Sequence, residues 1–416
     1  MAEHAAFTND AVIFGILAAM LGAVFWTSAS AHPAWRRFYS IFPPLLLCYF
    51  LPSLLNAFGL IDPEASQLYF VASRYLLPAA LVILTMAADI PSVMRLGPKA
   101  IVMFLTGTVG VIIGGPLALL AASAVAPDLV GVTGPDAVWR GMSTVAGSWI
   151  GGAANQTAMR EIFEVGPETF SIWVAVDIIV ANIWMAILLA MAANQSAVDR
   201  WLKADVSALE EVKARAEAYE TQTARIPQLK DLIFIFAIGF GAVGLSHFGA
   251  DILAPFFEKN FPEADQLSIH SKFFWLVVIA TTLGVGLSFT KVRTLQGAGA
   301  MKVGSVFVYI LVATVGMQMD IKAIAHTPAF FLIGGLWISI HAALLIVVAR
   351  LIRAPAFFLA VGSQANIGGA ASAPVVAAAF HPSLAPVGVL LAVLGYILGT
   401  FGAWVSGQAM RLIVGQ

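Results

Sequence analysis

The chain has 416 residues, 60% of them hydrophobic and 11% charged, with a formal net charge of -1 and a mean hydropathy of +0.90. So apolar a composition excludes a soluble globular domain and points to a protein that crosses a membrane many times. A balanced charge offers nucleic acid no partner surface, and the single cysteine, Cys48 inside an apolar run, excludes a disulfide framework and reads as a packing residue.

Apolar runs close to the roughly 20 residues that a spanning helix needs predict ten crossings. They lie at about 11–28, 40–58, 70–88, 100–125, 168–193, 231–248, 273–290, 303–319, 329–349 and 384–410. The first run has no Lys or Arg before it, and Arg36 and Arg37 follow it. That charge order is the reverse of a secretory signal, so the run is expected to be a retained helix with an external N-terminus.

Two stretches are left between the crossings, and they resemble each other: GSWIGGAAN at 147–155 and GSQANIGGAAS at 362–372. Both are glycine, alanine and small polar residues set in apolar sequence. If each dips in and returns on the same side, most basic residues fall in cytoplasmic loops, among them Arg36, Arg37, Lys99, Lys203, Lys291 and Arg293. Full crossings would move the basic linker and the pair Lys291 and Arg293 outside, so re-entrant hairpins at about 141–166 and 355–381 are expected.

Between the halves, 194–230 is the one long polar stretch. Its run Glu210-Glu211-Val212-Lys213-Ala214-Arg215-Ala216-Glu217 reads as the solvated face of a helical cytoplasmic linker. The flanking segments, 1–193 and 231–416, align with each other. Setting Gly151-Gly152 on Gly368-Gly369 gives an offset of 368 - 151 = 217. Upstream, Met86-Ala87-Ala88-Asp89-Ile90 matches Met317-Gln318-Met319-Asp320-Ile321, with Pro98 and Pro328 after the respective turns. Asp89 and Asp320 read as helix N-caps. The expected fold is an all-α polytopic membrane protein of two inverted-topology repeats, each with five transmembrane helices and one glycine-rich hairpin.

A helix broken in mid-membrane leaves amide and carbonyl groups that hydrocarbon cannot satisfy, and protein, water or ligand must do so. Glycine lets backbone approach a solute, and the side chains around it supply donors and acceptors. The candidate substrate-binding set is therefore Ser148, Gly151, Gly152, Asn155, Gln156, Ser363, Gln364, Asn366, Gly368, Gly369 and Ser372. In each hairpin the second half-helix aims its positive dipole end at the tip, which suits an anionic group, while carbonyls ending the first suit a cation such as sodium.

Asp177 stands in nearly unbroken apolar sequence, and its repeat counterpart is Leu394. A lone acid at that depth costs on the order of 3 kcal/mol, so it is assigned to the coupling ion, with Asn182 and Asn155 as partners; the other reading is a structural hydrogen bond to the hairpin backbone. Arg74 and Arg160, near the outer ends of their segments, read first as cations snorkelling to the interface and second as anion-steering groups. His341 reads as a packing hydrogen bond.

GSWIGGAANQ and GSQANIGGAASAP, with the duplicated Asp-Ile turns, resemble the YjcL-like family of bacterial membrane proteins, domain of unknown function 819. More distantly the arrangement is similar to the superfamily of sodium-coupled glutamate and 2-hydroxycarboxylate symporters. That resemblance implies homodimeric elevators in which Gly151, Gly152, Asn155, Gly368, Gly369 and Ser372 line solute and ion sites. No arginine falls at the second hairpin tip, which favours a solute with one carboxylate over a di- or tricarboxylate.

The expected function is a secondary active transporter in the cell inner membrane, moving a small carboxylate- or amino-acid-like solute with sodium or protons. It needs no cofactor beyond a possible sodium ion and no partner beyond solute, lipid and a second copy of itself. A monovalent cation/proton antiporter is the alternative. An intramembrane enzyme is not expected: Asp177 has no second acid in a Gly-x-Gly-Asp setting, and clustered His and Glu are lacking.

Overall fold

The computed structural model describes residues 6–39, 42–63, 65–87, 93–94, 96–207, 209, 212, 226–267, 269–319, 328–381 and 384–416. Asp89, Asp320 and the linker run 210–217 apart from Val212 lie outside the described residues. No strand occurs among those described; a single bridge joins Phe7 to Ile61.

Fifteen helices carry the argument: α1 Asp10–Ser28, α2 Pro33–Tyr39, α3 Pro44–Ala57, α4 Leu68–Met86, α5 Pro98–Val125, α6 Val138–Ile162, α7 Pro167–Ala193, α8 Gln195–Leu202, α9 Leu229–Asn260, α10 Lys272–Ser288, α11 Ala300–Met317, α12 Ala329–Leu351, α13 Ala356–Ile367, α14 Gly369–Phe380 and α15 Ala385–Ile413. Their starts follow from local chemistry. Proline opens α2, α3, α5 and α7, where its missing N–H would be unpaired anyway. Asn9 caps α1 through Ala11, Ser271 caps α10 through Phe274, and Gln228 with Asp231 forms a reciprocal box at α9.

Eight of these helices are long and apolar enough to cross a membrane. Two of the ten expected crossings are shorter than the sequence suggests: α3 is 14 residues with Pro52 inside, and α10 is 17. At 1.5 Å per residue these span about 21 and about 26 Å, below the roughly 30 Å of a bilayer core.

Prolines inside spans free carbonyls, and side chains from other helices take them up. Pro116 in α5 cannot serve Ile112, four residues back, and the Ser406 hydroxyl of α15 donates to that carbonyl at 3.0 Å. Pro78 in α4 cannot serve Arg74, beside a π-turn over Ala72–Leu76, and His247 Nε2 of α9 donates to the Arg74 carbonyl at 2.9 Å.

The helices sort into two groups by packing. In the first, α4 packs on α9, α10 and α11, while α3 packs on α1 and α11. In the second, α15 packs along α6, α5 and α14, α12 lies on α5 and α7, and α13 lies on α5 and α14. The groups interleave in sequence: α1, α3 and α4 join α9, α10 and α11, whereas α5, α6 and α7 join α12 through α15.

Contacts at the chain's turns collect at two ends. At one, Lys99 pairs with Asp205 at 2.9 Å, Arg350 donates to the Trp201 carbonyl, and Asp199 accepts from the amide of Ala356. Lys99 and the Ser207 hydroxyl together pull the Asp205 carboxyl down to about 2. At the other end Arg74 pairs with Glu161, Asp10 holds Ser66, and Asn56 donates to the Met319 carbonyl. Helix α6 therefore ends opposite the end at which α13 begins.

Candidate functional site

Helix α6 is interrupted at Gly152, whose φ of +75° and ψ of -174° are open essentially to glycine alone. The chain doubles back there. A Cβ on Gly147 would stand 2.6 Å from the carbonyl oxygen of Asn155, although residues eight apart lie about 12 Å apart along an unbroken helix. The second break falls between α13 and α14, where Gly369 has φ +57°. Across it the Gln364 amide donates to the Ser372 hydroxyl at 2.7 Å, again eight residues apart. The two cross-arm pairs, 147 with 155 and 364 with 372, are related by the same offset, 364 - 147 = 372 - 155 = 217.

Both turns lie against α15. Glycines at 395, 399 and 402 face α6: a Cβ at Gly395 would reach the Ile150 carbonyl at 2.3 Å, and one at Gly399 the Gly151 Cα at 2.7 Å. Between them, the Tyr396 ring is 3.6 Å from a Cβ built at Gly152, and its hydroxyl 4.0 Å from one built at Gly369.

Asp177, 5% exposed on α7, ties the two arms of the first broken helix together. Trp149 Nε1 of the first arm donates to Oδ1 at 2.6 Å, and Gln156 Nε2 of the second donates to Oδ2 at 2.9 Å. Gln156 in turn accepts from the Tyr49 hydroxyl of α3 at 3.0 Å, so the acid is wired to the other helix group. A buried carboxylate so held attracts a cation or a proton. Asn155 lies in the same arm: its amide donates to the Gly151 carbonyl at 2.9 Å, and its oxygen accepts from Thr400, which meets Thr281 of α10. Asn182 turns back along its own helix and donates to the Ile178 carbonyl at 2.7 Å.

The polar residues of the second break are mostly engaged in helix packing. The His341 ring meets the Gly107 carbonyl through Nδ1 at 3.0 Å, which places its proton there, and Nε2 accepts from Ser363 at 2.8 Å. Ser363 also accepts from Trp184. The Asn366 amide donates to the carbonyls of Phe104 and Gly362, and its oxygen accepts from Thr108. Gln364 keeps a buried Oε1 with no donor, at 2% exposure.

Arg160 does not snorkel into water. It is 7% exposed, with its guanidinium 4.7 Å from the Tyr69 ring centre and 4.8 Å from that of Phe170, and it donates to Gln318 Oε1 at 2.9 Å. Arg74 pairs with Glu161 at 2.6 Å, and Tyr69 also hydrogen-bonds Glu161. The roles of Tyr49, Tyr69, Gln318 and Tyr396 had no mark in the sequence, because they arise from packing between segments far apart in the chain. One sequence signal lies on α5: Gly107, Gly110 and Gly114 recur at helical spacing, and Cβ atoms there would crowd Asn366 of α13 or His341 and Trp337 of α12. Among the described residues no group of three His, Cys, Asp or Glu could hold a metal ion.

The family described as "Protein of unknown function (DUF819)" matches residues 15–413. The chain is also similar to "Uncharacterized membrane protein YjcL" of Bacillus subtilis (strain 168), at 23% identity over 359 residues, covering 83% of this chain and 85% of that protein.

Proposed function

This chain belongs to the DUF819 family of membrane proteins, and we propose that it is a secondary active transporter of a small organic carboxylate, coupled to sodium or protons at Asp177. The observation that carries the reading is the pair of broken helices. They share a cross-arm contact at one sequence offset, begin from opposite ends of the bundle and meet at Tyr396. Such paired breaks form a mid-membrane binding site in transporters built from inverted repeats.

On this reading the two breaks are re-entrant hairpins. The repeats are α1, α3–α7 and α9–α15, with α8 and the linker between them on the cytoplasmic side. The packing supports a pseudo-two-fold relation, since α4 lies on α10 as α11 lies on α3, and α9 lies on α10 and α4 as α1 lies on α3 and α11. The group α1, α3, α4, α9–α11 is then a frame, and the group α5–α7, α12–α15 an elevator that carries both tips past it in the plasma membrane. By the distant resemblance to elevator symporters, the frame would pair with a second copy. We propose no enzymatic chemistry and no cofactor beyond a sodium ion.

A cation/proton antiporter is the second reading, favoured by the number of donors that Asp177 already commands. Thermal stability of the purified protein in sodium against choline, between about pH 6 and pH 8, separates the two, because a bound ion must stabilise the fold. Sodium stabilisation that Asp177→Asn removes supports the symporter. A pH response without a sodium response, also lost in Asp177→Asn, supports the antiporter. An Asp177→Asn protein whose ion responses match wild type would refute the coupling role.

A further inference from the structure

Arg160 is a buried cation held by neutral groups. Its Nη2 donates to Gln318, while Nη1 is buried without an acceptor. The neighbouring Glu161 is turned to Arg74 and Tyr69, and no ion pair to Arg160 occurs among the described residues. Lys99, Arg74 and Lys272, by contrast, each have a carboxylate within 2.9 Å. Snorkelling would leave the guanidinium in water, and at 7% exposure it is not. A buried guanidinium presents five donors in a fixed plane, and leaving one unmatched within a membrane protein is costly.

The position matters as much as the missing acceptor. Arg160 and Phe170 belong to the group that contains both broken helices, whereas Tyr69 on α4 and Gln318 at the end of α11 belong to the other. One turn before Arg160, Gln156 reaches across the same seam to Tyr49 while holding Asp177. The guanidinium thus lies along the line where the two groups meet, one helical turn from the residue that grips the acid. Its flanking rings favour an organic anion over a bare inorganic one, because they offer apolar contact beside the charge.

We propose that Arg160 binds the carboxylate of the transported solute at this seam, through Nη1 and the planar face shared with Tyr69 and Phe170. The proposal deepens the transporter reading and rests on it.

The test measures melting of the full-length protein in sodium with acetate, butyrate, hexanoate and benzoate, their primary amides, and inorganic phosphate, for wild type, Arg160→Gln and Arg160→Lys. The carboxylates are expected to stabilise wild type saturably and the amides not. Arg160→Gln should lose that response while keeping the sodium response. Arg160→Lys, which retains the charge but not the bidentate plane, should weaken apparent affinity at least about tenfold and supplies the answer if Arg160→Gln does not fold. Wild-type carboxylate affinity in either variant overturns the proposal while leaving the coupling role of Asp177 standing, since that is read in sodium alone. So does stabilisation of wild type by phosphate and not by carboxylates, or by none of these anions.

Discussion

The first broken helix gathers an acid, a cation and an amide that bridges to the other helix group, whereas the second gathers neutral side chains spent on its immediate neighbours. Asp177, Gln156 and Arg160 reach Tyr49, Tyr69 and Gln318. Ser363 and Asn366 instead close a network with His341, Trp184, Thr108 and the backbone of α5. The two backbones follow one plan, down to the pair of positions that touch across each turn. Two breaks of like geometry can therefore differ in chemistry, with charge gathered at only one of them. Leu394, which the offset of 217 sets against Asp177, is the position at which that division is plainest.

Making the first copy chemically like the second should have the largest effect. Asp177→Leu strands the donors of Trp149 and Gln156 in a buried site and is expected to destabilise the protein by about 4 kcal/mol, read by denaturant unfolding. A loss below about 1 kcal/mol would mean that the network is not held by the acid. The equivalent cross-arm positions sharpen the comparison. Gly147→Leu drives a side chain into the Asn155 carbonyl and should cost about 2–3 kcal/mol, against about 1 kcal/mol for Gln364→Leu, where space for a side chain already exists and only the bond to Ser372 is lost. Equal losses would show that the turns are not packed as described. Ser363→Ala should cost about 1–2 kcal/mol from the unpaired Trp184 and His341, and it is the variant expected to leave ion and solute affinity unchanged. A change in carboxylate affinity there would place the solute at the second turn and end the asymmetry.

Much of this was legible beforehand. The glycine stretches at 147–155 and 362–372 marked both breaks, since few other sequences allow a helix to reverse in apolar surroundings, and the offset of 217 predicted which residues would be equivalent. Asp177 was conspicuous as an acid among apolar residues, though its partners were not: Asn182 bonds to Ile178, and Gln156 with Trp149 takes the carboxylate. Arg160 read as an interfacial residue because its segment ends near the bundle's edge, and only the rings of Tyr69 and Phe170, one of them from a distant helix, reveal that it is enclosed. Hydropathy placed α10 to within two residues but overstated α3, expected from about 40 and helical only from Pro44, because apolar length does not register where a proline starts a helix.

The placement of Tyr396 has a mechanical consequence. If the protein moves its cargo as a unit, as proposed above, both turns must keep a fixed spacing throughout the stroke. On that reading one aromatic ring on α15, with its edge against Gly152 and its hydroxyl close to Gly369, acts as a gauge block between the two turns, and the close backbone contact of Gly399 with Gly151 keeps that block from tilting. The distance between the turns is then set by the dimensions of a phenol ring.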